Sequence, residues 1–328
     1  MSDPKLFLTV IIPAFNEENN IPLLYESLTK FLKGVCPQYE IIFVDDGSYD
    51  ETFDVIKDLA KKDSRIRGFQ LSRNYGSHAA ITAGFTRARG DAVITLSADG
   101  QEPIEKIPEF IEKWKQGYDI VWGIRRNRDD PLFVRFTSFI FNSLLKIFIQ
   151  LPGYPKYGAT SFSLLDRKVV NAILQIPELN RSIIGLMGWL GFRKAEIICN
   201  FTKRQSGSSS WTLPKKIKLA IDTIVSFSYV PLKIVSLVGF IVSTLSFIYA
   251  IVIIVDYFVI GGTITGWPTL MVTVLFIGGV QLVAIGTIGE YLWRILEESR
   301  RRPLYIISDS TDGSGTEVKT NNKPYQMP

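Results

Sequence analysis

Two long stretches without a charged residue constrain this chain more than any other feature of its sequence. They cover residues 234–255 and 268–289. Each has about 22 residues, which as a helix measure about 33 Å and can cross the hydrocarbon core of a membrane. The connector at residues 256–267 has no lysine or arginine, whereas basic residues flank the pair on the other side. Because positively charged flanks stay in the cytoplasm, the pattern predicts a transmembrane hairpin with both termini cytoplasmic.

The charge of the chain agrees with a membrane partner. The net charge is +5 and the isoelectric point is about 9.0. Lysine and arginine crowd around the apolar stretches, which favours an anionic membrane surface over nucleic acid. A single histidine, His78, excludes a multi-histidine zinc site. The two cysteines, Cys36 and Cys199, indicate a reduced, cytosolic folded part rather than a disulfide framework.

The first 125 residues alternate between short apolar runs and amphipathic helical patterns. Strands are predicted at residues 6–12, 39–44, 67–71, 92–96 and 119–122, and helices at residues 52–62, 78–89 and 104–115 and around Leu24 and Leu28. This alternation predicts an α/β fold with a mostly parallel sheet. The polar clusters follow the carboxyl ends of the strands, which is the edge of an open α/β sheet where ligands bind.

Three further segments have compositions of their own. Residues 132–151 and 212–227 are apolar but interrupted by charge, so we predict amphipathic helices lying at the membrane interface. For the first of them a buried core helix remains an alternative. Residues 308–328 are polar and rich in glycine, serine, threonine and asparagine, and they are predicted to be disordered.

The sharpest chemical signal is the turn that follows the fourth predicted strand. Asp99 comes at the end of this buried strand, two residues after Ser97. It is a hard oxygen ligand of the kind that Mg²⁺ or Mn²⁺ prefers when a diphosphate shares the metal. At the other strand ends, Asp45 and Asp46 can accept hydrogen bonds from a base and a ribose, and Arg125 can meet phosphate charge. An acidic turn that only caps the next helix is the alternative.

Five motifs of the sequence belong together. They are Val10 to Glu18, Val44 to Ser48 with Asp50, Leu71 to Gly76, Ala98-Asp99 with Gln101 and Pro103, and Arg204 with Gly207. This set resembles the inverting GT-A glycosyltransferases. It resembles more closely the polyprenyl-phosphate glycosyltransferases, the group that includes dolichyl-phosphate-mannose synthases and undecaprenyl-phosphate sugar transferases. The resemblance runs from the N-terminus to the predicted hairpin.

The resemblance implies an activity and its partners. A sugar would pass from a nucleotide-diphosphate sugar, with a UDP-sugar favoured, to polyprenyl (undecaprenyl) phosphate with inversion. The reaction would take place at the cytoplasmic face of a bacterial-type plasma membrane, in a multi-pass protein with Mg²⁺ or Mn²⁺ as cofactor. A homo-oligomer is also implied. Neither a glycine-rich dinucleotide motif nor a Walker lysine is present, which disfavours a dinucleotide or ATP enzyme.

The resemblance, together with the polar residues of these loops, assigns residues to roles. Catalysis falls to Asp99, Gln101 and Arg204, and the metal to Asp99 and Gln101. The nucleotide sugar is bound by Pro13, Asn16, Glu17, Asp45, Asp46, Asn74, Ser97, Ala98 and Arg125. The phosphate of the lipid acceptor is bound by Arg204, Gly207, Ser208 and Ser209.

The predicted organisation is a GT-A (Rossmann-like) cytosolic α/β domain with interfacial helices and a two-helix transmembrane hairpin. Residues 1–130 are the nucleotide-sugar-binding half, and residues 131–228 are the acceptor-side region with the interfacial helices. Residues 229–294 hold the two transmembrane helices. Residues 295–328 form a basic juxtamembrane segment and the disordered cytosolic tail.

Three serines depart from the pattern of the family that the sequence resembles. Ser97 stands at the first position of its Asp-x-Asp motif, Ser161 where many relatives carry an acid, and Ser210 where many carry a lysine or arginine. These departures keep open a non-catalytic membrane scaffold of the same fold. A processive polysaccharide synthase is a further alternative, although two spans and no long channel-forming bundle argue against it.

Overall fold

The chain forms two compact units. A computed structural model describes residues 6–125, 159–179, 181–201, 230–260 and 266–313. The first unit comprises residues 1–223 and 301–328, and the second comprises residues 224–300. The first unit therefore contains chain segments from both sides of the two long apolar stretches.

In its described residues, the first unit is built on one sheet of eight strands with helices packed against it. In chain order its elements are β1 (Phe7–Ala14), α1 (Asn20–Val35), β2 (Gln38–Asp45), α2 (Thr52–Lys62), β3 (Ile66–Leu71), α3 (Ser77–Arg87), β4 (Ala92–Thr95), α4 (Ile107–Lys115), β5 (Ile120–Arg125), β6 (Ala159–Asp166), α5 (Arg167–Gln175), α6 (Ile183–Trp189), β7 (Lys194–Cys199) and β8 (Ile307–Ser310). A 3₁₀ turn at Ile104–Lys106 leads into α4.

The strand order is β7-β5-β6-β4-β1-β2-β3-β8. The pairs β1–β2, β1–β4 and β2–β3 are parallel, as predicted for the alternating first part of the chain. Strand β6 lies antiparallel between β4 and β5, and β8 lies antiparallel beside β3. The sheet is therefore mixed, with a parallel centre and antiparallel additions toward both sides.

The central strands are buried on both faces, which explains their continuous apolar runs. In β1, Val10, Ile11 and Ile12 all have no exposed surface, and Ile42 and Phe43 in β2 are equally buried. Helix α1 packs against the sheet through an apolar stripe at the spacing of a helix face. The stripe consists of Leu24, Leu28 and Leu32.

Residue 130, the predicted division between the two halves, lies outside the described residues, and this division stays a prediction. Strands from both sides of it share one sheet, because β6 lies between β4 and β5. The tail predicted to be disordered from residue 308 instead begins inside β8, which pairs with β3. The interfacial helices predicted at residues 132–151 and 212–227 lie outside the described residues.

The second unit contains two long helices, α7 (Val230–Ile260) and α8 (Trp267–Ser299). Each contains an apolar segment, Leu232–Tyr249 or Val272–Ser299, with a mean hydropathy of 1.9 or 2.0. By length and composition both helices can cross a membrane. The two predicted spans lie within them, and α8 continues ten residues beyond the second predicted span.

Candidate active site

The carboxyl ends of three neighbouring strands lie along one edge of the sheet. Strand β1 is central, with Ala14 paired to Asp45 of β2 and Ile11 paired to Thr95 of β4. Backbone hydrogen bonds continue the pairing past the strand ends, from Asp46 N to Ala14 O at 2.8 Å and from Leu96 N to Ile11 O at 3.0 Å. The loops that carry the residues predicted to bind the nucleotide sugar therefore leave the sheet side by side. They do so at the edge where α/β folds bind ligands.

The first two of these loops are tied to each other around Asn16. Its backbone has a positive φ of 56°, which asparagine tolerates better than most residues. Its N–H donates to Ser48 Oγ at 2.9 Å, and its Oδ1 accepts the N–H of Tyr49 at 2.9 Å. The neighbouring Glu17 accepts a hydrogen bond from Asn20 Nδ2 at 2.5 Å. Asn16 and Glu17 thus shape the loop from within.

Asp45 at the end of β2 is fully buried. Its Oδ1 accepts hydrogen bonds from the N–H and the hydroxyl of Ser48, and its Oδ2 accepts one from Gln70 Nε2 at 3.0 Å. Burial raises the pKa of Asp45, and these three hydrogen bonds oppose the increase. The sequence did not identify Gln70, because the link depends on the pairing of β2 with β3.

Asp46 ties the second loop to the loop between β3 and α3. One carboxylate oxygen accepts the N–H of Tyr75 at 2.7 Å, and the other accepts the N–H of Gly76 at 2.8 Å. Burial raises the pKa of Asp46 to about 6, although both hydrogen bonds favour the ionised form. Asn74, which is also predicted to bind the nucleotide sugar, is exposed on this loop. Asp46 therefore acts first as an organiser of the loop that carries Asn74.

A hydroxyl bridges two carboxylates in the turn after β4. Ser97 Oγ lies within hydrogen-bond distance of both Asp99 and Glu102, and the N–H of Gln101 donates to Asp99 Oδ1 at 3.2 Å. Because a hydroxyl has one proton, it can donate to only one of the two carboxylates. Burial raises the pKa of Glu102 to about 7, so Glu102 is the group suited to donate its own proton to Ser97.

The position of Glu102 bears on the missing acid of the Asp-x-Asp pattern. Ser97 occupies that position, but the Glu102 carboxyl reaches its hydroxyl from the bend that precedes the 3₁₀ turn at Ile104–Lys106. Two carboxyl groups therefore meet at this turn, one of them five residues later than the position where the pattern expects it.

The oxygen atoms in the turn after β4 fit a divalent cation that is shared with a diphosphate. Among the described residues, no group of three or more His, Cys, Asp or Glu side chains could hold a metal ion alone. Magnesium, however, is commonly bound through one or two carboxylates together with substrate phosphates and water. Asp99, Glu102, the Ser97 hydroxyl and the Gln101 amide offer hard oxygen atoms of this kind.

The remaining predicted residues lie at several places. Pro13 pairs with Val44 near the end of β1, Ala98 is buried beside Asp99, and Arg125 is the last residue of β5. Ser161 of β6 lies next to the end of β4, because its carbonyl accepts the hydroxyl proton of Thr95. Arg204, Gly207, Ser208 and Ser209, predicted to bind the acceptor phosphate, lie outside the described residues, as does Ser210.

His78 is the second residue of α3, just after the loop between β3 and α3 that carries Asn74. Burial lowers the pKa of its imidazole to about 4, so the ring is neutral at physiological pH. Its Nδ1 is buried and has no hydrogen-bond partner within the part of the chain that the structure describes. His78 therefore lies in the first turn of α3.

Comparison with known proteins reveals clear relatives. A profile of glycosyl transferase family 2 matches residues 9–174. An uncharacterized glycosyltransferase of Synechocystis is 41% identical over 303 residues, which cover 92% of this chain and 95% of that protein. A bactoprenol glucosyl transferase of Shigella phage SfV is 38% identical, over 92% of this chain and 98% of that protein.

A solved structure has a similar fold. The glucosyl-3-phosphoglycerate synthase of Mycobacterium tuberculosis superposes with a TM-score of 0.50 at 16% sequence identity. The match covers 68% of this chain and 81% of that protein. At this level of identity the likeness concerns the fold alone.

Proposed function

The chain belongs to glycosyl transferase family 2, and we propose that it transfers a sugar from a nucleotide-diphosphate donor to a polyprenyl phosphate. A UDP-sugar is the favoured donor and undecaprenyl phosphate the favoured acceptor. The product is a polyprenyl-phosphate sugar, formed with inversion at the cytoplasmic face of the membrane. The acceptor class is supported by relatives named as bactoprenol glucosyl transferases, which match this chain nearly end to end.

One structural observation carries the donor side of this proposal. Asp99 follows β4, while Asp45 ends β2 and Asp46 follows it, and β1 lies between these two strands. A nucleotide held by the loops after β1 and β2 would therefore extend its diphosphate toward the turn after β4. Such a turn with carboxylates suits a diphosphate only through a cation, because carboxylates and phosphates otherwise repel each other.

The chemistry needs positioning more than a strong base. A phosphate monoester has a second pKa of about 6, so the acceptor is largely ionised at neutral pH. One of its oxygens attacks the anomeric carbon, and the bond from that carbon to the nucleotide diphosphate breaks, with the electron pair leaving on the diphosphate oxygen. A serine in place of an acid at Ser161 is therefore compatible with activity.

Ser97, Asp99, Gln101 and Glu102 are the residues that would hold Mg²⁺ or Mn²⁺. When bound, the cation supplies positive charge that stabilises the leaving diphosphate. Asp45 and Asp46 keep the loops around the base and ribose in place through their hydrogen bonds to Ser48 and to the backbone of Tyr75 and Gly76. This preorganisation holds the donor for attack.

The location of β8 supports the proposed membrane topology. The residues before α7 and those after α8 belong to the same compact unit. A folded sheet is not divided by a bilayer, which supports a topology with both ends of the helix pair on the same side. Together with the basic flanks, this supports a cytoplasmic domain anchored by a two-helix hairpin. A homo-oligomer remains part of the proposal from family resemblance.

A lipid-extraction assay tests the proposed function. Membranes containing the chain are incubated with a radiolabelled UDP-sugar and undecaprenyl phosphate, and the chloroform-soluble label is counted. Chain-dependent label that mild acid releases as the monosaccharide supports the proposal. Long water-soluble polymer would indicate the processive synthase instead, and an absence of transfer with a panel of UDP-, GDP- and CDP-sugars would favour the scaffold.

The segment around Arg204 yields a prediction for the acceptor side. It precedes the basic residues 215–218 and the first membrane span, so it is suited to meet a phosphate at the bilayer surface. An arginine offers a planar fork of donors to phosphate. We expect Arg204→Ala to raise the KM for polyprenyl phosphate about tenfold, while the affinity for the nucleotide sugar stays unchanged. Kinetics with varied lipid phosphate and calorimetry with the donor measure the two effects.

Arg204→Lys is the matched variant for this prediction. It keeps the charge but loses the fork, so it should recover only part of the acceptor affinity. An acceptor response in Arg204→Ala equal to that of the unaltered chain would return this segment to an ordinary glycine- and serine-containing linker.

A further inference from the structure

The chain that follows the second long helix returns to the sheet and binds along the edge of β3. We refer to Tyr305–Asp312 as the C-terminal strap. Its strand, β8, is antiparallel to β3, with Phe69 paired to Ser310 and Gln70 to Asp309. Tyr305 and Ile307 are 4% and 1% exposed, so both side chains anchor the strap in the protein interior.

Side chains fasten the strap at three further points. Asp312 accepts from Arg67 at 3.0 Å, and Arg67 also pairs with the buried Glu40. Asp309 lies 3.0 Å from Lys57. The hydroxyls of Tyr305 and Thr86 lie 2.9 Å apart. The strap is thus held by side chains of α2, β3 and α3 as well as by strand pairing.

The strap reaches the candidate donor site through two residues of the β3 end. The N–H of Ser72 donates to Ile306 O at 2.9 Å, at the beginning of the loop that carries Asn74. Ser308 Oγ donates to the carbonyl of Gln70 at 3.2 Å, and the Gln70 side chain holds Asp45. The loop between β3 and α3 is therefore hydrogen-bonded to Asp46 at Tyr75 and Gly76, and to the strap at Ser72.

We propose that the C-terminal strap is a positioning element of the donor site, with Ile307 as its apolar anchor. Without it, β3 would be the edge strand of the sheet, and Ser72, just before Arg73 and Asn74, would lose a backbone hydrogen bond. The site for a nucleoside diphosphate is then complete only after the chain has passed through both long helices. The inference rests on the proposed function in naming a nucleoside diphosphate as the ligand.

The main test uses the full chain in detergent, with Ile307→Asp and Ile307→Val as a matched pair. Burying an unpaired carboxylate is costly, so Ile307→Asp should release the strap, whereas valine keeps an apolar anchor. The probe is UDP with Mn²⁺ in calorimetry, replaced by GDP or CDP if the unaltered chain binds one of these better. We expect Ile307→Asp to weaken binding about tenfold or more, and Ile307→Val to bind like the unaltered chain.

A second pair covers the case in which Ile307→Asp fails to fold. A chain ending at Pro303 lacks the strap, and a chain ending at Gly313 keeps it. We expect only the first to lose nucleotide affinity, and a peptide of residues 304–313 added in trans to restore it. The donor KM should rise while the acceptor KM is unchanged, a split that general destabilisation would not produce.

The outcomes separate this inference from the proposed function. UDP affinity in Ile307→Asp or in the chain ending at Pro303 equal to that of the unaltered chain would overturn the strap's role. Loss of affinity that the peptide does not restore, in a chain that remains folded by circular dichroism, would also count against positioning. If the unaltered chain binds none of the three nucleotides, the proposed donor class is wrong, and with it the ligand named here.

Discussion

Replacing Asp99 with asparagine is expected to lower sugar transfer by about 100-fold or more, which corresponds to about 3 kcal/mol of transition-state stabilisation. Asparagine has nearly the same shape and its carbonyl can still accept from Gln101 N–H, so the turn after β4 should keep its conformation. What is lost is the negative charge. Asp99 is the only acid between residues 92 and 100, so Glu102 would be the one carboxyl group left near Ser97.

Two measurements distinguish loss of the cation from loss of the fold. Transfer of radiolabelled sugar to lipid reports activity, and electron paramagnetic resonance of Mn²⁺ in the presence of UDP reports cation binding without turnover. Asp99→Asn should reduce both, with little change in thermal unfolding. Transfer near that of the unaltered chain, with Mg²⁺ or Mn²⁺ present, would show that the assignment of Asp99 is wrong.

Ser97→Asp serves as the matched control. It restores the first acid of the Asp-x-Asp pattern at the position where the serine hydroxyl meets Asp99 and Glu102. We expect it to retain transfer, because a carboxylate at this position can bind the same cation. A third carboxyl group in one turn also repels its neighbours when no cation is bound. Its thermal stability should therefore depend more strongly on Mn²⁺ than that of the unaltered chain.

The first part of the fold could be predicted from the sequence because its signals are local. The predicted strand at residues 39–44 lies within β2, Gln38–Asp45, and the predicted helix at residues 52–62 coincides with α2, Thr52–Lys62. Strands buried on both faces read as apolar runs, and helices buried on one face read as stripes. Polar residues at strand ends then predict which loops share an edge.

The antiparallel additions could not be predicted in this way. Strand β8 has four residues, Ile307–Ser310, three of them polar, within a tail whose composition is typical of disorder. Its partner lies far away in the sequence, as Ser308 and Gln70 are 238 residues apart. The pairing therefore depends on tertiary contacts that no local pattern encodes. Only the apolar Tyr305 and Ile307 hint at a buried segment.

The candidate site shows the same division between local and tertiary information. Acids at strand ends are visible in the sequence, so Asp45, Asp46 and Asp99 could be selected from it. Gln70 could not, because its side chain reaches Asp45 only through the pairing of β3 with β2. Glu102 had only a weak signal in the sequence, as an acid that follows Asp99 after two intervening residues. Its reach to Ser97 is a property of the turn.

Gly47→Ala is expected to weaken nucleotide binding strongly, although Gly47 is not one of the residues predicted to bind the nucleotide sugar. Gly47 has a φ of 69°, a left-handed conformation that costs an L-residue roughly 1–2 kcal/mol. A Cβ at this position would lie 2.4 Å from the carbonyl carbon of Arg73 and 2.8 Å from the N of Asn74. Both are backbone atoms, so no side-chain rotation relieves the overlap.

The loops after β2 and β3 would then have to separate. The same two loops are joined beside Gly47 by the hydrogen bonds from Tyr75 and Gly76 to Asp46, so their separation would also loosen Asp46. We expect UDP affinity to fall by about tenfold or more, and the free energy of unfolding to fall by about 1–3 kcal/mol.

Gly34→Ala is the control, because no atom lies within 4 Å of a Cβ there. In α1 this alanine should be neutral or stabilising by about 0.5–1 kcal/mol. Calorimetry with UDP and thermal unfolding measure both variants. Equal UDP affinity in Gly47→Ala and Gly34→Ala would mean that the close approach of the two loops does not shape the donor site.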